Sequence, residues 1–350
     1  MKTSALQILS TTTALLLGLL ATPARADILY ATLSGGVLKF NSNGAASSFG
    51  FGWNRPTGLV FDKAGNLYVA DNNTILKFTP AGGGSVFASS GLNVPVGLAF
   101  DSAGNLFAAN AGSNTIVKFA PNGSSSVFAS GLSGAKSLAF DNVGNLFISS
   151  GGNTILKFTP DGVSSVFANS GLSVPYGLAF DSAGNLYVAN PGNNTIVKLT
   201  PGGVGSVFAS GSPATGGLLD NTFGLAFDHA GNLYAANSTN GTKIVKFSPG
   251  GVGAVFASGL NFPSFLAFTD DSGTPLTLPP KPPALRIVQT APGSFQVRWP
   301  SSASHWTLET RSNLSSDSWV PIPGPYSTES SDCIYNLQPA EPSRFFHLRP

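Results

Sequence analysis

Between residues 27 and 271 the apolar positions fall in short runs separated by turn residues, with no stretch of helical period. Residues 137–169 show the unit: SLAFD (137–141), NLFISS (145–150), TILKF (154–158) and SVFAN (165–169), divided by NVG, GGN and PDG. Runs this short, rich in β-branched and aromatic residues and bounded by Gly, Asn, Asp and Pro, predict strands joined by tight turns. The phrase recurs. Residues 97–119 read GLAFDSAGNLFAANAGSNTIVKF and residues 177–199 read GLAFDSAGNLYVANPGNNTIVKL. Its opening element starts at Gly58, Gly97, Ser137, Gly177 and Gly224, at spacings of 39, 40, 40 and 47 residues. Four antiparallel strands in about forty residues describe one blade of a β-propeller.

The ends of this region make the blade count. DILYAT, GVLKF and SSFG, which open it, are second, third and fourth strands with no first strand before them. SFLAFTDDSG (264–273) is a first strand with nothing after it. Joined, they make one blade, giving an all-β, six-bladed propeller with three-plus-one closure over 27–271 and no half-paired edge. The repeated P-x-G-L-A-F-D-x-x-G-N-L-Y-V-A-N-x-x-N-x-T-I-V-K-F resembles the NHL repeat, whose members form six-bladed propellers. The WD signature and the double-Gly kelch pattern are absent.

Residues that recur in every copy read as architecture. Asp62, Asp101, Asp141, Asp181 and Asp228 each open a turn containing Gly-Asn, where a carboxylate accepts backbone N–H bonds. Lys39, Lys77, Lys118, Lys157, Lys198 and Lys246 recur on the third strand and are expected to snorkel along a solvated rim. Phe49, Phe87, Phe128, Phe167, Phe208 and Phe256 recur on the fourth and belong to the core. First strands alternate small and large residues, as blades crowding an axis require.

Composition then locates the protein. Lys2, the apolar ALLLGLLA (14–21) and ARA (24–26) read as a secretion signal (1–26) cleaved after Ala26, which places the protein in the periplasm, at the cell surface or outside the cell. The formal charge is +2 and both leader charges are basic, so the mature chain is neutral and offers no field for nucleic acid or anionic membrane. No second apolar run is long enough to span a bilayer, and a monomer is expected. Five prolines in GTPLTLPPKPP (273–283) make 272–283 a stiff linker. Residues 284–350 alternate again and predict a small β-sandwich module, similar to fibronectin-like modules in the spacing of Trp299, Leu308, Trp319 and a closing RFFHL.

Departures from the repeat mark the candidate site. The inter-blade loops 51–57 and 210–223 differ most, carrying Trp53 and Arg55, and Asp220 and Phe223. Lys136 and Tyr176 replace small or apolar residues at their loop position. Trp53, Arg55, Lys136, Tyr176, Asp220 and Phe223 are the expected ligand-binding patch, facing a protein, peptide or glycan as a non-enzymatic scaffold. No catalytic residue and no cofactor are assigned.

The alternative is a divergent lactonase-like or lyase-like propeller enzyme. The resemblance implies for lactonases a channel Glu, and for peptidyl-hydroxyglycine lyases three zinc-binding histidines. Glu309, Glu329 and Glu341 all lie in the tail, and the propeller holds only His229, too few ligands for zinc. Asp71, Asn110, Asn190 and Asn237 take equivalent loop positions on the binding side, an oxygen set that suits calcium weakly.

Overall fold

A computed structural model describes residues 26–211, 217–239, 242–276, 286–291, 294–300, 307–311, 320–322, 326–329, 332–336 and 345–349. The expected secretion signal and most of the Pro-rich linker lie outside the described residues. Within 27–270, six four-stranded antiparallel sheets follow in chain order. Blade 2 is representative: Pro56–Phe61, Leu67–Asp71, Thr74–Phe78 and Gly84–Ala88, each strand paired with the next. Blades 3 to 6 repeat this order through Gly253–Ala257. Among the described residues no helix is long and apolar enough to cross a membrane.

Blade 1 is assembled from both ends of the ring, as the interrupted phrase requires. The strand Leu266–Asp270 pairs with Asp27–Leu33, with Ala31 opposite Leu266 and Asp27 opposite Asp270. Thr32 secures the junction: its N–H donates to the Phe265 carbonyl, and its hydroxyl accepts from the Phe265 N–H, both at 3.0 Å. Residues 271–276 fold back on this strand, Pro275 bridging Thr269 and the Leu276 N–H donating to the Phe268 carbonyl. The start of the stretch read as linker therefore packs on blade 1.

Each blade has the same internal scaffold. The second strand is buried on both faces (Leu67–Asp71, Leu106–Asn110, Leu146–Ser150), which suits the middle layer of a ring of stacked sheets. Its aromatic residue meets two phenylalanines edge-on. Tyr68 lies 5.0 Å from both Phe87 and Phe100, and Phe107 lies 5.2 Å from Phe128 and 5.1 Å from Phe140. T-shaped packing sets the positive ring edge against the negative face.

The repeated aspartates close the turns. Asp101 Oδ1 accepts the Asn105 N–H at 2.8 Å, and its Oδ2 accepts the Asn105 side-chain amide at 2.7 Å. Asp62, Asp141, Asp181 and Asp228 do the same. The repeated lysines are more engaged than free snorkelling implies. Each nitrogen stands 5.2–5.8 Å from the centre of the second-strand aromatic ring. Lys77, Lys118, Lys198 and Lys246 also pair with the turn aspartate at 3.3–3.9 Å. The outward face of blades 2, 3, 5 and 6 thus carries an acid, a cation and an aromatic ring in sequence. Asp101→Ala removes two turn bonds and one ion pair. It should cost about 1–2 kcal/mol, a fall of roughly 3–6 °C in a thermal melt followed by circular dichroism.

The C-terminal residues form two further sheets. One orders Arg286–Ala291, Ser294–Pro300, Asp332–Asn336 and Ser327–Glu329; the other flanks Thr307–Arg311 with Val320–Pro321 and Phe345–Arg349. Val297, Trp299, Leu308, Ile322 and Cys333 make one buried cluster from both, a small sandwich. Trp319 lies outside the described residues.

Candidate functional site

Around the ring axis the inter-blade loops share a common construction. An apolar residue wedges between neighbouring blades: Leu132, Leu172 and Leu219 are buried, and Leu92 and Leu260 are partly so. The last residue of the second strand then holds the loop backbone. Asn110 Oδ1 accepts the Asn93 N–H while its amide donates to the Gly91 carbonyl, and Asn190 treats Ser173 and Gly171 alike. Finally, in blades 2, 3 and 6 the chain enters the inner strand across a bulge, between Pro56 and Leu59, Pro95 and Leu98, and Thr222 and Leu225.

At the start of the inner strand the blades touch. A Cβ on Gly177 would stand 2.0 Å from the Phe223 carbonyl oxygen, and one on Gly97 2.4 Å from that of Lys136. Gly177 N–H donates to the Phe223 carbonyl at 2.8 Å, stitching blade 5 to blade 6. Only glycine allows that approach.

The residue just before each of these positions caps the axis: Thr57, Val96, Lys136, Tyr176, Phe223 and Ser264. Tyr176 packs edge-on against Phe223 at 4.5 Å and lies 5.9 Å from Phe265. The Lys136 nitrogen sits 5.2 Å over the Tyr176 ring. Burial pushes the Tyr176 hydroxyl up to about 12, partly opposed by the Arg55 charge. Burial lowers the Lys136 ammonium. Arg55, Lys136, Tyr176 and Phe223 thus converge on an aromatic plug flanked by two cations. Because Tyr176 ionises more readily unfolded than folded, its contribution is fully present below pH 10 and is lost as pH rises towards 12, about 2–3 kcal/mol. Burial also raises Tyr30 and Tyr234, so titration of tyrosinate absorbance should show several late components, one of which disappears in Tyr176→Phe.

Two expected site residues are placed elsewhere. Trp53 occupies the wedge position of Leu92 and Leu132, with its ring 4.8 Å from Phe78 and against Gly36 and Gly50. Asp220 is buried; its N–H donates to Asn237 Oδ1, and its Oδ2 has no partner among the described residues. Nor do the oxygen donors meet at the axis. Asp71 accepts the Asn54 and Arg55 N–H groups, and Asn237 Oδ1 accepts the Thr222 hydroxyl at 2.6 Å, so each is committed to its own loop. Among the described residues no three His, Cys, Asp or Glu side chains group as a metal site. His229 lies on the opposite face, 2.6 Å from Asp27.

The sequence reading missed three neighbours of the plug. Val94, Val174 and Phe262 take the loop position of Arg55, with φ of 48°, 52° and 51° and exposures of 46%, 46% and 56%. Left-handed backbone is costly for β-branched residues, and large apolar exposure beside it marks a surface held ready for contact. Only the Val-Pro and Phe-Pro spelling of these loops hints at it.

No protein-family model and no curated protein matches the chain. Solved structures do. Virginiamycin B lyase from Staphylococcus aureus, as the selenomethionine protein, superposes with a TM-score of 0.51 at 18% identity, covering 61% of this chain and 77% of that one. A catalytically inactive variant of that lyase with quinupristin gives 0.54 at 14% identity, covering 71% and 94%. A protein of unknown function from Bacteroides caccae gives 0.54 at 16% identity, covering 69% and 98%. What they share with this chain is the propeller fold; the chain itself is a six-bladed β-propeller followed by a small β-sandwich.

Proposed function

We propose that this protein is an exported NHL-type propeller with a fibronectin-like C-terminal module, and that it binds a protein, peptide or glycan at the axial mouth without catalysing a reaction on it. The observation that carries the reading is the plug: Tyr176 and Phe223 in edge-on contact, Lys136 over the Tyr176 ring, and Arg55 beside them. Exposed Val94, Val174 and Phe262 supply apolar rim contacts. Aromatic and cationic anchors inside an apolar rim are the chemistry of interface hot spots. Pull-down from periplasmic and cell-surface extracts tests it. A partner captured by the full chain should be lost, by at least tenfold in yield, with Lys136→Ala/Tyr176→Ala, provided the variant melts like the parent. Undiminished capture removes the mouth as the site.

The second reading, a divergent lyase-like or lactonase-like enzyme, is favoured by the lyase neighbours. Against it stand one propeller histidine, on the other face, and no propeller glutamate. Stoichiometric zinc or calcium in the purified protein would favour the enzyme.

A further inference from the structure

The closing blade breaks the repeat on the face opposite the inter-blade loops. In the other five blades the inner strand ends Leu-Val-Phe-Asp or Leu-Ala-Phe-Asp, and in four of them that aspartate pairs with the third-strand lysine at 3.3–3.9 Å. In blade 1 it reads Leu266-Ala267-Phe268-Thr269-Asp270, so Thr269 stands where the acid belongs. Asp270, one residue later, is turned to the other side of the strand. There its Oδ1 accepts the N–H groups of Ser272 and Thr274 at 2.9 and 2.8 Å. Lys39 keeps its place over the Tyr30 ring at 5.8 Å, yet among the described residues it has no acidic partner within 4 Å.

The missing carboxylate leaves space as well as charge. A cavity of about 150 Å³ opens at this point, lined by Tyr30, Lys39, Phe49, Phe61, Thr269 and Asp271. Thr269 is 1% exposed, and its hydroxyl oxygen has no well-formed hydrogen bond, although the side chain lies close enough to the Tyr30 hydroxyl to act on its ionisation. Tyr30 itself is fixed by edge-on contacts to Phe49 at 5.2 Å and Phe61 at 4.9 Å. A buried hydroxyl without a partner costs free energy until something bonds it. The walls thus offer a cation and the Thr269 and Tyr30 hydroxyls at one side and two phenylalanine rings at the other.

We propose that this seam cavity binds a small aliphatic monocarboxylate, whose carboxylate takes the place of the absent aspartate between Lys39 and Thr269 while its alkyl end lies against Phe49 and Phe61. Asp271, which borders the cavity without pairing to Lys39, repels a second carboxylate, so dicarboxylates are excluded. The cavity is built from the first strand of the ring, the inner strand of blade 2 and the last hairpin. It exists only when the ring is closed, and ligand binding stabilises that closure by mass action.

Propionate, propanol and succinate are the probes, each added to the full chain at matched ionic strength and followed by thermal melting and calorimetry. A ligand of so few atoms should bind at roughly millimolar concentration. Propionate should raise the melting midpoint saturably, whereas propanol and succinate should not. Lys39→Met should weaken propionate binding by at least tenfold. Thr269→Asp restores the repeat's own carboxylate, so it should abolish propionate binding and raise the midpoint of the unliganded protein. A wild-type chain with no saturable response up to about 50 mM overturns the proposal, as does a response that survives in both variants. Should Thr269→Asp fail to fold, calorimetry on Lys39→Met decides alone: unchanged affinity overturns the proposal.

Discussion

A mature chain ending at Phe262 should show no cooperative unfolding transition, while one ending at Leu276 should melt within a few degrees of the full protein. The shorter chain loses Leu266–Asp270 and with it all five pairs that this strand makes with Asp27–Leu33. It also loses Leu266 and Phe268, both buried, and Phe268 stacks edge-on against Tyr234 of blade 6 at 4.9 Å. Burial of two such side chains contributes about 3–6 kcal/mol, before counting the ladder and the blade-to-blade contacts around the ring. The total stability of a domain is about 5–15 kcal/mol, so the loss is of the same order as the whole. The strand Asp27–Leu33 would also be left as an open edge, a template for pairing with other chains. Urea unfolding and light scattering check both parts. A short chain with a sharp transition near that of the parent would mean the ring does not depend on closure.

Gly177→Ala should lower stability by about 3 kcal/mol, a fall of roughly 6–12 °C in the melting midpoint. The added methyl would stand 2.0 Å from the Phe223 carbonyl oxygen and 3.1 Å from the Gly224 Cα, both of them backbone atoms that no rotamer change can move. Relief requires blades 5 and 6 to separate at the axis, breaking the 2.8 Å bond from the Gly177 N–H to that carbonyl. Separation also draws Phe223 from Tyr176, so the variant should lose any ligand of the axial mouth along with its stability. Ser137 provides the control. It fills the equivalent position in blade 4, where its N–H bonds the Ser149 hydroxyl, and Ser137→Gly should cost no more than about 1 kcal/mol. Equal melting midpoints for Gly177→Ala and the parent would show that the axis is looser than its distances imply.

Much of this architecture was legible in the sequence because its signals are local and repeated. Asp101 and Asn105 bracket a turn whose chemistry does not depend on the rest of the fold, and the same pair recurs blade after blade. The closure was legible because a first strand without followers and three followers without a first strand leave one economical pairing. The site was harder to read. Trp53 broke the pattern in letters and kept it in physics, filling the wedge that leucine fills in the other loops. Asp220 likewise stands where Asn93 stands, its backbone held by the second strand. Tyr176, Lys136 and Phe223 were findable because they replace small or apolar residues at a position facing a crowded axis. Val94, Val174 and Phe262 carried no such mark, since their left-handed backbone is imposed by loop geometry rather than by residue type. The cation and ring of each blade face, and the acid of five of them, were visible as repeats. What joined them was the hairpin register that sets Lys77 opposite Tyr68.

Closure through the two ends of the ring has a consequence for how the molecule is made. The strand Asp27–Leu33 must remain an unpaired edge until residue 270 has been made, a wait of roughly 10–50 s at ordinary rates of synthesis. During that interval the nascent chain needs something else to shield the edge. A prematurely terminated product never loses that edge, which marks it for any protease that reads exposed strands. The ring thereby inspects its own length, and only a chain that reaches its last hairpin can hide its beginning.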